Sequence, residues 1–389
     1  MQDVEYALTA IEKVHPRIYL TTPRAEFQAE IRGLKKLSPP PPREESFLSL
    51  MRLVALVGDA HTCLSSWDEV TETVLPIAIE SWSDGYWIAA AEADQQRLFG
   101  RRVVSIEGVP VSVVVTRLAP YVPHENDAQL RAGGAQAATL PRLLRAVGVV
   151  GEKDRVRMRL VDRNKKQEEV ELAPVPRGSL RLAFYAPGGD WKPPLFRERW
   201  GEDWWWTTID DDRAIYLQYN HCVARKEHPF VETAKACLER IDHDPRIERV
   251  FVDLRNNGGG DSRVLRPLID GLRRRAGRMP GSRIYVAIGL GSFSSGMLNA
   301  WQMKRDLRAV LVGEPTLQKP DGFGEVRTFA LPNTGWRVSC STERIRIFGD
   351  ERPALEPDVR VPFGFASVLD GDDPVVDWFL AQRNATSSR

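Results

Sequence analysis

The stretch Val250-Phe251-Val252-Asp253-Leu254-Arg255-Asn256-Asn257-Gly258-Gly259-Gly260 decides how the chain is read. An apolar run of strand length passes directly into polar residues and then three glycines. Glycines let the backbone turn tightly and turn its N–H groups toward a ligand. Two readings of the bend stand open, an oxyanion hole and a flexible turn.

Outward from this segment, strands and helices alternate. Upstream are a strand, Ala214–Tyr219, and a helix, Phe230–Ile241. Downstream come a helix over Ser262–Arg275, a strand over Arg283–Ile288, a helix over Ser295–Leu307 and a strand over Ala309–Val312. This order predicts βαβ units and a mainly parallel sheet, in which functional loops gather at the carboxyl ends of strands. Two further strand ends carry candidates. Gly289-Leu290-Gly291-Ser292-Phe293-Ser294-Ser295-Gly296 leads from a strand into a helix, where unpaired N–H groups favour negative charge. A serine there is either a reactive hydroxyl or a helix N-cap. The third end, Gly313-Glu314-Pro315-Thr316-Leu317-Gln318-Lys319, places Lys319 in a loop where a lysine is ordinarily solvated.

The first 60 residues read as three helices: Val4, Leu8, Ile11 and Val14 on one face, then Arg24–Leu37, then Glu45–Val57. The prolines Pro39–Pro42 separate the last two as a stiff spacer. Gly58-Asp59-Ala60-His61-Thr62 follows, and it singles out His61 among the six histidines, none of which pairs at metal-ligand spacing. From about 70 to 175 short strands prevail: Tyr86–Ala91, Arg102–Ile106, Arg155–Val161 and Glu168–Leu172, with one helical stretch at Ala138–Val147. Residues 176–208 read as irregular, and Trp204-Trp205-Trp206 reads as packing between domains.

Composition limits the function. The chain has 389 residues, 42% hydrophobic and 28% charged, enough for a full core without disulfide or metal staples. Lys plus Arg number 54 against 53 Asp plus Glu, a balance that argues against nucleic-acid binding driven by counterion release. Cys63, Cys222, Cys237 and Cys340 form no CxxC pair and read as reduced thiols. No run reaches the roughly 20 apolar residues that span a bilayer. The N-terminal residues are amphipathic and do not read as a signal peptide. The expectation is a cytoplasmic protein, or a periplasmic or secreted one if a leader precedes Met1.

Taken together, Asp253–Gly260, Phe293-Ser294-Ser295-Gly296, Gly313-Glu314-Pro315-Thr316, Glu356-Pro357-Asp358-Val359 and the Asp59-Ala60-His61-Thr62 segment resemble the S41 serine peptidases. That family includes the tail-specific (carboxyl-terminal processing) proteases and the tricorn core. The branch similar to interphotoreceptor retinoid-binding protein modules is nearer in pattern than the tail-specific one. The resemblance implies an α/β protein with a crotonase-like ββα catalytic core over residues 181–385, a PDZ-like β-rich module over 67–180 and a helical segment over 1–66. It implies a nucleophile at Ser294, with Ser295 as the fallback, and a base that is either His61, supported by Glu351, or Lys319. Backbone N–H groups of Gly258 or Gly259 and of Ser295 would hold the oxyanion. The substrate would be a peptide or protein, with no cofactor, metal, nucleic acid or membrane span; the oligomeric state stays open.

The sequence departs from the family patterns at Gly296-Met297, at Pro320 after the lysine, and at Ala60 before the histidine. Between the bases, a lysine needs burial to lose its proton near neutrality, whereas an imidazole needs only an orienting acid. His61 is therefore preferred. Gly100-Arg101-Arg102 is the only loop of the PDZ-like stretch resembling a carboxylate nest. The competing class is a non-catalytic binding protein for a hydrophobic ligand or peptide.

Overall fold

Helices, strands and four sheets follow from these patterns in a computed structural model that describes residues 2–382 apart from 37–40, 67, 153 and 189. The chain forms two compact units. One comprises 1–187 and 321–351, the other 188–320 and 352–389.

In the first unit, the three N-terminal helices are Gln2–Val14, Arg24–Lys35 and Arg43–Ala55. Pro39 and Pro40 of the proline run lie outside the described residues, and Pro42 starts the third helix. Phe47, Leu50, Leu53 and Val54 bury one face of that helix. A three-stranded sheet joins Cys63–Leu64 to the hairpin Phe323–Ala330 and Arg337–Arg344. An antiparallel sheet carries Ile77–Trp82, Gly85–Ala91, Arg102–Ile106, Val156–Val161 and Gln167–Leu172 in that spatial order. The last of these strands alternates buried Val170 and Leu172 with exposed Glu169 and Glu171, the period of a half-covered strand.

The expected helix over Ala138–Val147 is shorter than the sequence suggested, at Pro141–Ala146, because Pro141 sits at its first turn. Two helices precede it, Val111–Leu118 and Asp127–Ala137. They touch through glycine: a Cβ on Gly134 would come within 2.6 Å of Val115 Cγ1.

The second unit is built on a six-stranded sheet. Its order is Trp204–Ile209, Ala214–Tyr219, Arg249–Asp253, Ile284–Ile288, Val310–Gly313 and Val359–Arg360. All neighbours are parallel except the first pair. The central strands are buried along their whole length, as the continuous apolar runs require. Residues 204–206 correct the sequence reading. They are strand, not irregular chain, and they pack inside this unit. Trp204 meets Phe230 edge-on at 5.4 Å and Trp205 meets Tyr216 at 5.4 Å. The hairpin turns at Asp210, Asp211 and Asp212, all at positive φ, a conformation that short polar side chains tolerate.

Candidate active site

The serine loop belongs to the second unit. Strand Ile284–Ile288 ends, and helix Ser295–Leu307 begins after Ser294. Ser294 has φ 51° and ψ −124° and makes no capping hydrogen bond. A capping serine sits in the extended region with its oxygen on a helix N–H, so the N-cap reading does not describe this residue. A side-chain-bearing residue held at such a φ costs about 1–3 kcal/mol and persists only where its surroundings impose it. Here they do. The Ser294 N–H donates to Gln318 Oε1 at 2.8 Å, and its carbonyl accepts from Leu298 N–H at 3.0 Å. The flanking Phe293 N–H donates to the Asn257 carbonyl at 2.9 Å.

The three strand ends are stitched together by such bonds. Ser292 Oγ donates to the Leu254 carbonyl at 2.7 Å, and Leu317 N–H donates to the Ser292 carbonyl at 3.0 Å. Glycines permit the close approach. A Cβ on Gly259, whose φ is +109°, would lie 2.6 Å from Ser294 Cβ, 3.1 Å from its Oγ and 3.1 Å from the Ser295 nitrogen. Gly260, at φ +126°, faces the Cys222 carbonyl just as tightly. Gly258 faces open space. The glycine bend is thus a close-packed wall against Ser294.

The two serines are in different states. Ser295 is buried, and its hydroxyl donates to the Gly260 carbonyl at 2.6 Å. Ser294 is partly exposed. The Gly259 N–H donates inward to Asn257 Oδ1 at 2.9 Å, whereas among the described residues no such bond engages the Gly258 or Ser295 N–H. Asn257 also donates from Nδ2 to the Tyr219 carbonyl at 2.8 Å. Cys222 Sγ lies 3.3 Å from Asn257 Oδ1, and burial pushes its thiol up to about 11. Lys319 is partly buried and forms no hydrogen bond or ion pair among the described residues, with Ser294 or otherwise.

Under this loop lies a buried charge network. Arg255 pairs with Asp253 at 2.6 Å and with Asp373 at 2.6 Å. Tyr216 Oη donates to Asp253 Oδ2 at 2.9 Å, and burial together with the Asp253 charge raises the Tyr216 pKa. The network anchors the strand end from which the glycine bend departs.

The histidine segment belongs to the first unit. Asp59, wholly buried, is its centre. Its Oδ2 accepts from Thr62 Oγ1 at 2.6 Å and Ser341 Oγ at 2.5 Å, and lies 3.3 Å from His15 Nε2. His15 Nδ1 accepts the Arg17 N–H at 3.2 Å, which leaves the ring proton on Nε2, facing Asp59. Asp59 Oδ1 accepts the His61 N–H at 3.0 Å and lies 3.8 Å from His61 Nδ1. Burial alone would raise the Asp59 pKa. Hydrogen bonds from His15, His61, Ser341 and Thr62 outweigh that and hold the carboxyl well below the usual range. Burial and the Asp59 charge push the Cys63 thiol up to about 11.

Glu351 does not join this group. It is exposed and forms no hydrogen bond or ion pair among the described residues. The loop before it is instead gathered by Asp321, whose carboxylate accepts N–H groups of Ile347, Gly349 and Asp350 at 2.6, 2.8 and 3.2 Å. Sequence reasoning missed Asp59 as the acid nearest His61 and Gln318 as the acceptor for Ser294. The two-residue spacing of Asp59 and His61 was the available signal for the first; nothing local marks Gln318.

No family model and no curated protein matches the sequence. Solved structures do. The chain overlays mature CPAF complexed with lactacystin at TM-score 0.68 and 14% identity, covering 98% of this chain and 97% of that one. A second structure of mature CPAF gives 0.65 at 15% identity over 98% and 96%. The photosystem II D1 C-terminal processing protease gives 0.46 at 13% identity over 96% and 97%. Among the described residues, no helix is long and apolar enough to cross a membrane. The chain shares the mixed α/β fold of CPAF over nearly its full length.

Proposed function

We propose that the chain is a serine-type peptidase of the S41 kind, with Ser294 as nucleophile and His61 as its base. The observation that carries the reading is the Ser294 backbone, held at φ 51° against Gly259 at the start of a 13-residue helix. The same turn logic exposes the nucleophile in hydrolases that place serine on a strained strand-to-helix turn.

In this mechanism the Ser294 oxygen attacks the scissile carbonyl as its proton passes to His61 Nε2. The Gly258 and Ser295 N–H groups donate to the developing oxyanion, and the positive end of the helix beginning at Ser295 adds to them. His61 returns the proton to the leaving amine, and water then releases the acyl group. Asp59 Oδ1, 3.8 Å from Nδ1, favours the tautomer protonated at Nδ1, whose ring lone pair lies on Nε2. Glu351, exposed and without a hydrogen bond or ion pair among the described residues, is the second candidate for that supporting acid. Lys319 keeps a place as the alternative base. We assign the crotonase-like core to the parallel-sheet unit and the PDZ-like module to the antiparallel sheet of 67–180. Substrates are peptides or proteins in extended form.

The test is labelling with a fluorophosphonate probe and peptide mapping. Label on Ser294 that disappears in Ser294→Ala and drops steeply in His61→Ala supports the reading. Loss in Lys319→Ala with none in His61→Ala moves the base to the lysine. Absence of both labelling and cleavage favours a non-catalytic binder of a hydrophobic ligand or peptide.

A further inference from the structure

We propose that Asp59, His61 and Glu125 form a site for a zinc-class divalent ion that takes His61 out of service as a base. The regulatory half of this proposal rests on the reading of His61 given above; the binding half does not. One ligand atom from each residue lies within 4.8 Å of the other two. Asp59 and His61 come from the loop after helix Arg43–Ala55, and Glu125 from the segment before helix Asp127–Ala137. The two segments are tied where the Ala60 N–H donates to Glu125 Oε1 at 3.4 Å. The Glu125 N–H in turn donates to Gln129 Oε1 at 2.9 Å, and Asn126 caps the helix by accepting from the Gln129 N–H.

The donor chemistry is that of a three-ligand zinc site with room for a fourth, exchangeable position. One imidazole nitrogen and two carboxylates suit zinc better than calcium or magnesium, which prefer all-oxygen shells. The outer shell of Asp59 is already built. His15, Thr62 and Ser341 hold Oδ2, while Oδ1 is turned toward His61. Partners of this kind orient metal-binding carboxylates. The His61 side chain is only 10% exposed, so water competes little. Donor atoms at zinc distance sit roughly 3–3.5 Å apart. The three groups therefore close by about an ångström on binding, a movement within reach of the flexible Glu125 side chain.

The consequence for chemistry follows from the ring. Neutral imidazole has one lone pair and one N–H. Zinc on Nδ1 takes the lone pair and leaves the ring proton on Nε2, so the nitrogen that must accept the serine proton cannot do so. No proton is gained or lost in this exchange, and a chelator reverses it.

Zinc chloride titrated into the full chain by calorimetry tests the site, beside His61→Ala, Glu125→Gln and the distant control His243→Ala, each checked for folding by circular dichroism. The expected result is one ion per chain, bound at least tenfold more weakly by His61→Ala and Glu125→Gln and equally by His243→Ala. Zinc should also slow fluorophosphonate labelling of Ser294 at least tenfold, with recovery in EDTA. No saturable binding, or binding indifferent to both variants, overturns the site. Stoichiometric binding with unchanged labelling overturns the regulation. No labelling even in EDTA refutes the peptidase reading and removes the regulatory half with it, while the calorimetry still judges the site.

Discussion

Replacing Gly259 with alanine tests whether the glycine bend faces the reacting hydroxyl. The new methyl would sit 2.6 Å from Ser294 Cβ, below the 3.0 Å that real Cβ contacts respect. Something must move by at least 0.4 Å, the difference of those two distances, and by about an ångström for ordinary contact. A shift of about 1 Å in a reacting group costs on the order of 100-fold in rate. The methyl also approaches the Ser295 nitrogen at 3.1 Å, where it would crowd an oxyanion donor; loss of such a donor costs about 3 kcal/mol, again 100-fold or more. The backbone penalty at φ +109° is about 1–3 kcal/mol, a fall in Tm of roughly 2–12 °C for a unit of this size. Gly277→Ala is the control, because that glycine lies outside the bend and a methyl there meets nothing within 4 Å. Labelling rate by fluorophosphonate, read beside thermal melts, is the assay. The expected outcome is a folded Gly259→Ala protein that labels at least 100-fold more slowly, and a Gly277→Ala protein close to wild type. A folded Gly259→Ala chain that labels at the wild-type rate would refute the reasoning.

Ser295→Ala should keep labelling within a few-fold yet lose about 1–2 kcal/mol, because the Gly260 carbonyl loses its donor, whereas Ser294→Ala should lose labelling and keep stability; denaturant melts with the probe assay separate the two. Arg255→Met should cost about 3–5 kcal/mol, since it leaves Asp253 and Asp373 buried without a counter-charge, and urea unfolding measures it. The Asp59 carboxyl is depressed in the folded chain, so its stabilisation is complete above the unfolded pKa of about 3.9 and is lost as pH falls toward the folded value. Melts between about pH 6 and pH 2.5 should therefore show a steeper loss of stability than Asp59→Asn shows; equal slopes in both proteins would contradict the assignment.

The parallel-sheet unit was legible because its strands are buried on both faces. Arg249–Asp253 and Ile284–Ile288 are apolar runs bounded by glycine-rich turns, and helix Ser295–Leu307 begins at the residue its sequence indicates. Helices Val111–Leu118 and Asp127–Ala137 were hidden for opposite reasons. The first is rich in β-branched valine, and the second carries Gly133 and Gly134, both poor helix formers that tertiary packing overrides. Its capping Asn126 was the missed signal. At the site, Ser294 and the glycines could be read from strand ends, but only backbone angles distinguish a strained serine from a cap. Gln318 reaches Ser294, and Asp59 reaches His15 and Ser341, through side chains across separations that no sequence period encodes.

The hairpin Phe323–Arg344 lies within the excursion 321–351, which rejoins the first unit before the chain returns to complete the parallel sheet with Val359–Arg360. The polypeptide consequently passes between units three times, at 187/188, 320/321 and 351/352. The serine-bearing half is therefore no contiguous cassette: expressed alone as 188–320 it would forfeit an edge strand, and swapping it among homologues requires three junctions to match at once.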